Sequence, residues 1–270
     1  MKVHRFFSFF VFLWVSFFII GCGGGGSSGS SSSSSSSETS RTVSPGGVWE
    51  GFQAIDGEPD IEIAGLVTED GRFHFLREDG AQAVGSISVS VNRGQADYRI
   101  KVEAGDAFVD GSVAADGILD VQIEERSSIR GRFSSVTDGG LREEGTIQLT
   151  YNDIYDRPSS ISTASGIFME RDFDDMIIID DQGRVGYKNI SESPTCIADG
   201  LIEPFDQRFN AYDISFRFEG CDGEVENLNN VLFSGIAYLD NQSEPEELVI
   251  GVVGNFENFD VFVVDFFDRQ

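Results

Sequence analysis

From Gly46 onward the chain alternates apolar and polar side chains again and again, and this alternation limits the fold more than any other feature. Ile87, Val89 and Val91 interleave with Ser86, Ser88 and Ser90. Tyr98, Ile100 and Val102 interleave with Arg99, Lys101 and Glu103, and Tyr212, Ile214, Phe216 and Phe218 with Asp213, Ser215, Arg217 and Glu219. A period of two places one set of side chains on each face of an extended strand, so every such run predicts a strand with one buried face. Asp-Gly occurs eight times, beginning at Asp56, Asp70, Asp79, Asp110, Asp116, Asp138, Asp199 and Asp222. Several of these dipeptides fall between alternating runs, where a tight hairpin needs residues that tolerate positive φ. No convincing amphipathic helix follows the first 45 residues, and the expected class is all-β, an antiparallel meander.

The pattern also repeats once. Gly47-Val48-Trp49 matches Gly166-Ile167-Phe168, and Gly71-Arg72-Phe73 matches Gly183-Arg184-Val185. Gly85 with Tyr98 matches Gly200 with Tyr212, and Phe108 with Gly111 resembles Phe233 with Gly235. The offsets are 119, 112, 114 to 115 and 124 to 125, so order is kept while short insertions intervene. Two related β-rich units are expected, 46–160 and 161–270, each with seven to nine short strands. They form tandem small barrels, or one larger barrel or sandwich. Gly47-x-Trp49 at the first strand is similar to the Gly-x-Trp of lipocalin-like barrels, although Phe168 replaces the tryptophan in the second unit and the other lipocalin signatures are missing.

The N-terminus has a different composition. Lys2 and Arg5 precede an uncharged run from Phe6 to Ile20, which has the layout of a secretory signal and is short for a comfortable membrane span. The run closes on Ile19-Ile20-Gly21-Cys22. These four residues resemble the lipobox of bacterial lipoproteins, in which the chain is cleaved before the cysteine and the cysteine is acylated. The resemblance covers about the first 22 residues. It implies a signal peptide at 1–21, a palmitate-type anchor on Cys22 and a membrane partner held through that anchor. Gly23 stands where inner-membrane lipoproteins of many Gram-negative species carry Asp, so the implied address is the outer membrane, with the face left open. Gly23 to Pro45 is almost free of apolar side chains and cannot repay the entropy of ordering. Residues 22–45 are therefore expected to be the lipidated cysteine and a Gly/Ser tether, with a root-mean-square reach of about 25 to 29 Å.

Loss of the signal removes two of the 19 basic residues and leaves all 46 acidic ones, a net charge of 17 minus 46, or −29. A field of that sign repels nucleic acid and anionic headgroups, and nucleic acid is not expected as a partner. With Cys22 assigned to the anchor, Cys196 and Cys221 remain in an oxidising compartment and are expected to form a disulfide. Closing a loop of that length contributes roughly 3.5 kcal/mol in the chain-entropy model.

Catalytic chemistry finds few resources. His74 is the sole histidine after the signal, and in Arg72-Phe73-His74-Phe75 it alternates with two phenylalanines, so it is expected to point to solvent. No nucleophile elbow, zinc ligand set, P-loop or dinucleotide fingerprint accompanies it. Asp172, Asp174 and Asp175 precede Met176-Ile177-Ile178-Ile179, and Asp180 and Asp181 follow it. Such carboxylates are the one resource for hydrolysis, but composition alone generates clusters of this kind. Asp180-Asp181-Gln182-Gly183, and Asp240-Asn241 with Glu244, Glu246 and Glu247, carry oxygen ligands in turns without EF-hand spacing. No catalytic residue, metal site or cofactor is assigned. An outer-membrane pore is disfavoured because the alternating runs are short for transmembrane strands and the chain ends in Asp268-Arg269-Gln270. Phe256, Phe259, Phe262, Phe266 and Phe267 crowd the last strand, whose two apolar faces call for a central or covered position.

The expectation is a lipid-anchored, acidic all-β binding module of the cell envelope that is not an enzyme. Its partner would be an envelope protein, a glycan or a small ligand. The alternative is a structural or assembly protein acting through an envelope partner, with a carboxylate hydrolase as a third class.

Overall fold

The computed structural model describes residues 41–270 apart from 56, 104, 171–174, 190–196, 222–225, 227 and 257–258. Its strands close into two eight-stranded antiparallel barrels, each wound up and down in sequence order. Barrel 1 consists of β1 (Gly47–Ile55), β2 (Ile61–Val67), β3 (Arg72–Arg77), β4 (Gln82–Ser90), β5 (Arg93–Lys101), β6 (Ala114–Glu124), β7 (Ser128–Thr137) and β8 (Arg142–Asn152). Barrel 2 consists of β9 (Gly166–Glu170), β10 (Asp175–Ile179), β11 (Arg184–Asn189), β12 (Ile197–Pro204), β13 (Tyr212–Glu219), β14 (Leu232–Asp240), β15 (Glu247–Phe256) and β16 (Phe259–Arg269). Of the two architectures open from sequence, tandem small barrels is the one formed. Full closure also removes the exposed strand edges that an open meander would leave.

Alternation becomes inside and outside. In β6 every second residue from Ala115 to Ile123 is buried while Asp116, Ile118, Asp120, Gln122 and Glu124 face out. Trp49, Phe73, Phe75, Leu119, Phe133 and Leu149 fill barrel 1, and Phe168, Ile177, Ile214, Phe233, Val252 and Phe267 fill barrel 2. Strands β6 and β8 reach 11 residues, longer than the sequence runs suggested. Their outward faces are largely polar or charged, unlike the unbroken apolar band that lipid requires.

The turns explain part of the Asp-Gly pattern and correct the rest. Gly71 of Asp70-Gly71, at φ +90°, turns β2 into β3, and Gly183, which follows Gln182 and sits at φ +80°, turns β10 into β11. The carbonyl of each accepts from the next strand but one, at Ile87 and Ile202, with N···O distances of 2.8 Å. Asp116-Gly117 and Asp199-Gly200 are not turns. They lie inside β6 and β12, where the missing side chain makes room for a neighbour; a Cβ on Gly117 would collide with the Tyr98 ring. Three turns carry no glycine at their strained position, which falls on Val91 at φ 59°, on Arg126 at φ 55° and on Asn230 at φ 67°. Asp222 lies outside the described residues.

Two of the four repeat matches change in the structure. Gly85 faces Tyr98 across a strand pair, but Gly200 faces Phe216, while Tyr212 faces Pro204. Phe108 sits in the β5–β6 connection, whereas Phe233 is an inward residue of β14, so those two do not correspond. Trp49 and Phe168 do occupy equivalent places, each fully buried on the first strand of its barrel.

Residues 41–45, assigned to the tether from sequence, lie against barrel 1. The Val43 amide donates to the Val91 carbonyl at 2.8 Å, and the Pro45 carbonyl accepts from Trp49 Nε1 at 3.0 Å. A 3-10 turn (Asp153–Asp156) and a short helix α1 (Ile161–Ala164), capped by the Ser160 side chain, connect the barrels. Tyr155 from this connection is fully buried and stacks on Phe209 at 5.1 Å. With Val48 and Leu66 of barrel 1, and Ala211 and Ile236 of barrel 2, they make a small apolar core between the barrels. Asn210 fastens it: its side chain donates to the Ile154 and Leu239 carbonyls and accepts from the Leu239 amide.

Candidate functional site

Beside that core the two barrels enclose a cleft of about 620 Å³. Barrel 1 contributes Arg72 and His74 of β3 and Ser86 of β4; barrel 2 contributes the outer faces of β12 to β15. A volume of this order suits a small organic molecule better than a bare ion.

His74 forms part of the cleft wall, and its position is a correction. The ring does point away from the barrel 1 interior, as alternation requires, but the outward side is not solvent. It is covered by barrel 2, leaving the residue 6 % exposed. Its Nε2 lies 3.0 Å from Gln82 Oε1, and the ring meets Phe262 edge-on at 6.2 Å. Gly251 of β15 makes the approach possible, since a Cβ there would come within 2.6 Å of His74 Nδ1. Burial pushes the His74 pKa down to about 4, against the opposing hydrogen bonds to Gln82 and the Gly251 backbone. The imidazole is therefore neutral near pH 7. Lys101 adds a further tie across the seam, donating to the Asp260 carbonyl and standing over the Phe262 ring. The crowded last strand is thus covered on both sides: Val261 and Val263 pack into barrel 2, and Phe262 meets barrel 1.

Arg72 spans the cleft. Its Nε donates to Asp70, its Nη2 pairs with Asp213 at 2.8 Å, and its guanidinium lies 5.1 Å from the Phe205 ring centroid. Burial works to lower its pKa, and the Asp213 and Asp70 carboxylates more than offset this, so the net shift is upward. Glu203 and Asp213 are directly opposite on β12 and β13, as are Leu201 and Ser215. Ser215 in turn faces Ser234 on β14.

Of the carboxylates singled out from sequence, Asp240 and Glu247 face each other across β14 and β15 and share the Ser243 hydroxyl, whereas the described acids around β10 do not converge. Asp175 and Asp180 sit at opposite ends of β10, about 16 Å apart at the usual strand rise. Asp180 Oδ1 accepts from the Gln182 and Arg184 amides, each at 2.8 Å, and these bonds, led by Arg184, hold its pKa below the ordinary carboxylate value. Asp240 likewise accepts from the Gln242 and Ser243 amides, and Glu246 pairs with Arg157 and Arg269. Among the described residues no three His, Cys, Asp or Glu side chains gather as metal ligands. Asp172, Asp174, Cys22 and Cys196 lie outside the described residues. Cys221 is buried, with its backbone held on both sides by the Asn229 side chain.

Sequence reasoning passed over Arg72, Glu203, Asp213 and Gly251. The alternation marked Asp213 and Ser215 as outward, but which outward residues would be roofed by the other barrel is a matter of tertiary placement. The chain matches no family model, no curated protein and no solved structure.

Proposed function

We propose that this protein is a lipid-anchored binding module of the cell envelope, and that its ligand site is the cleft between the barrels. The cleft carries the reading: it has the volume of a small-molecule site, and its walls come from both barrels. Ser86, Ser215 and Ser234 bring hydroxyls to it with no protein partner among the described residues. The anchor rests on the charged start, the apolar run and the Ile19-Ile20-Gly21-Cys22 pattern. In this reading Cys22 carries the acyl chains at the outer membrane, and Cys196 pairs with Cys221. The module works by binding and not by catalysis.

Two experiments test it. Labelled palmitate should enter the wild-type protein in a bacterial host and be lost in Cys22→Ser; equal labelling of both would refute the anchor. A fragment screen read by NMR should shift cleft amides in the wild type, and Ser234→Trp, which fills the cleft from an exposed position, should abolish those shifts. Hits that ignore Ser234→Trp would place binding elsewhere and favour the alternative, an assembly protein acting through an envelope partner.

A further inference from the structure

We propose that the cleft selects an organic cation, a primary ammonium carried on a short aliphatic stem; this rests on the cleft being the ligand site. The first reason is register. Glu203 and Asp213 are directly opposite neighbours on the outer face of β12 and β13, and both line the cleft. Like charges facing each other across a strand pair destabilise it, and a cation between them reverses that sign.

Arg72 fills this role only in part. Its Nε is bound to Asp70 and its Nη2 to Asp213, so its donors are turned toward carboxylates already in place. The guanidinium is matched by two acids, which leaves the Glu203 carboxylate over. That carboxylate has no hydrogen-bond or ion-pair partner among the described residues. The charged groups lining the cleft are Arg72, Glu203 and Asp213, a net charge of −1 before Asp70 is counted. An anionic ligand would meet repulsion here and find its natural partner, Arg72, already engaged.

The remaining walls fit the rest of such a ligand. Leu201, 40 % exposed, and Val253 offer apolar surface beside the acids, where a chain of methylenes can lie. The hydroxyls of Ser215 and Ser234 stand next in the ladder and can accept from ammonium protons that Glu203 does not take. The whole chain, at a net charge of −27, raises the local concentration of cations around the cleft.

The test is calorimetric titration of the purified full-length protein in detergent with 1,5-diaminopentane, the tripeptide Gly-Lys-Gly, neutral 1-pentanol and pentanoate. Diaminopentane or the tripeptide should bind at least tenfold more tightly than the two uncharged or anionic probes. Binding of both amines would assign the site to lysyl as well as free amines, and binding of diaminopentane alone to free amines. Glu203→Gln should weaken amine binding about tenfold, while Asp120→Asn, an exposed acid on β6 away from the cleft, should leave it unchanged. Equal losses in the two variants would mean diffuse attraction to an acidic surface and would overturn the proposal. So would cleft shifts seen by NMR with pentanol or pentanoate but not with the amines, a result that would keep the cleft as the site. Shifts from none of the four probes would remove both readings.

Discussion

The two barrels share strand number, winding and a buried aromatic on the first strand, and the second carries an arginine clasp at its closing pair. In barrel 1 the first and last strands pair over eight positions, from Val48 opposite Asn152 to Ile55 opposite Gly145. In barrel 2 the corresponding pair, β9 and β16, is described at three positions, from Arg269 opposite Phe168 to Phe267 opposite Glu170, and residues 171–174 that follow lie outside the described residues. Side chains add to this ladder. Arg269 donates to the Thr163 and Ser165 carbonyls, pairs with Glu246 and stands 4.6 Å from the Phe168 ring centroid. Glu246 also takes Arg157 from the inter-barrel connection, so the same clasp that closes barrel 2 holds the segment leading into it. At the closure of barrel 2, one guanidinium thus joins the backbone ladder.

The difference can be broken from either side. Trp49→Ala should cost about 4 kcal/mol, since it removes a fully buried ring and its bond to the Pro45 carbonyl. Hydrogen exchange should show the loss first in barrel 1, and a loss spread evenly over both barrels would mean that they unfold as one unit. Arg269→Ala should cost about 3 kcal/mol through several charge-assisted bonds, and the amides of β9 and β16 should lose protection before those of β1 and β8. The reverse order would contradict the assignment of the clasp.

The seam between the barrels provides the third handle. Free imidazole in the unfolded chain titrates near 6.5, while buried His74 titrates near 4. Between those values the unfolded state takes up a proton that the folded state refuses. Stability therefore falls as pH drops from about 6.5 to about 4, by on the order of 3 kcal/mol, and the effect levels off below that. Urea titrations should show this slope in the wild type and a shallower one in His74→Gln, and parallel slopes would refute it. The smallest effect is at Gly251: Gly251→Ala should cost about 2 kcal/mol by pressing on His74, and the shorter side chain in His74→Ala should relieve much of it. Additive losses in the double variant would show that the two residues do not meet.

Much of the fold was legible because alternation is a local signal. A run such as Tyr212 to Glu219 announces a strand and its inward face without reference to anything distant. Turn chemistry was half legible. Gly71 and Gly183 sit where positive φ is needed, but Asp116-Gly117 and Asp199-Gly200 read as turns although their glycines are gaps for side chains within strands. Conversely, Val91 and Arg126 take positive φ without a residue type that signals it. The site was hidden for a different reason. His74 was read correctly as outward from its own strand and wrongly as solvated, because what lies outside barrel 1 is set by residues some 180 positions further on. The opposition of Glu203 and Asp213 depends on hairpin register, and their place in a cleft depends on how the second barrel lies against the first.

His74 reports directly on that packing. In the chain lacking the first 21 residues it is the only histidine, so an NMR titration of its ring protons needs no assignment. The ring should show no titration between pH 8 and 5, a midpoint near 4, and Overhauser contacts to Gly251 and Phe262. A ring that titrates near 6.5 without those contacts would show His74 in water and the barrels apart.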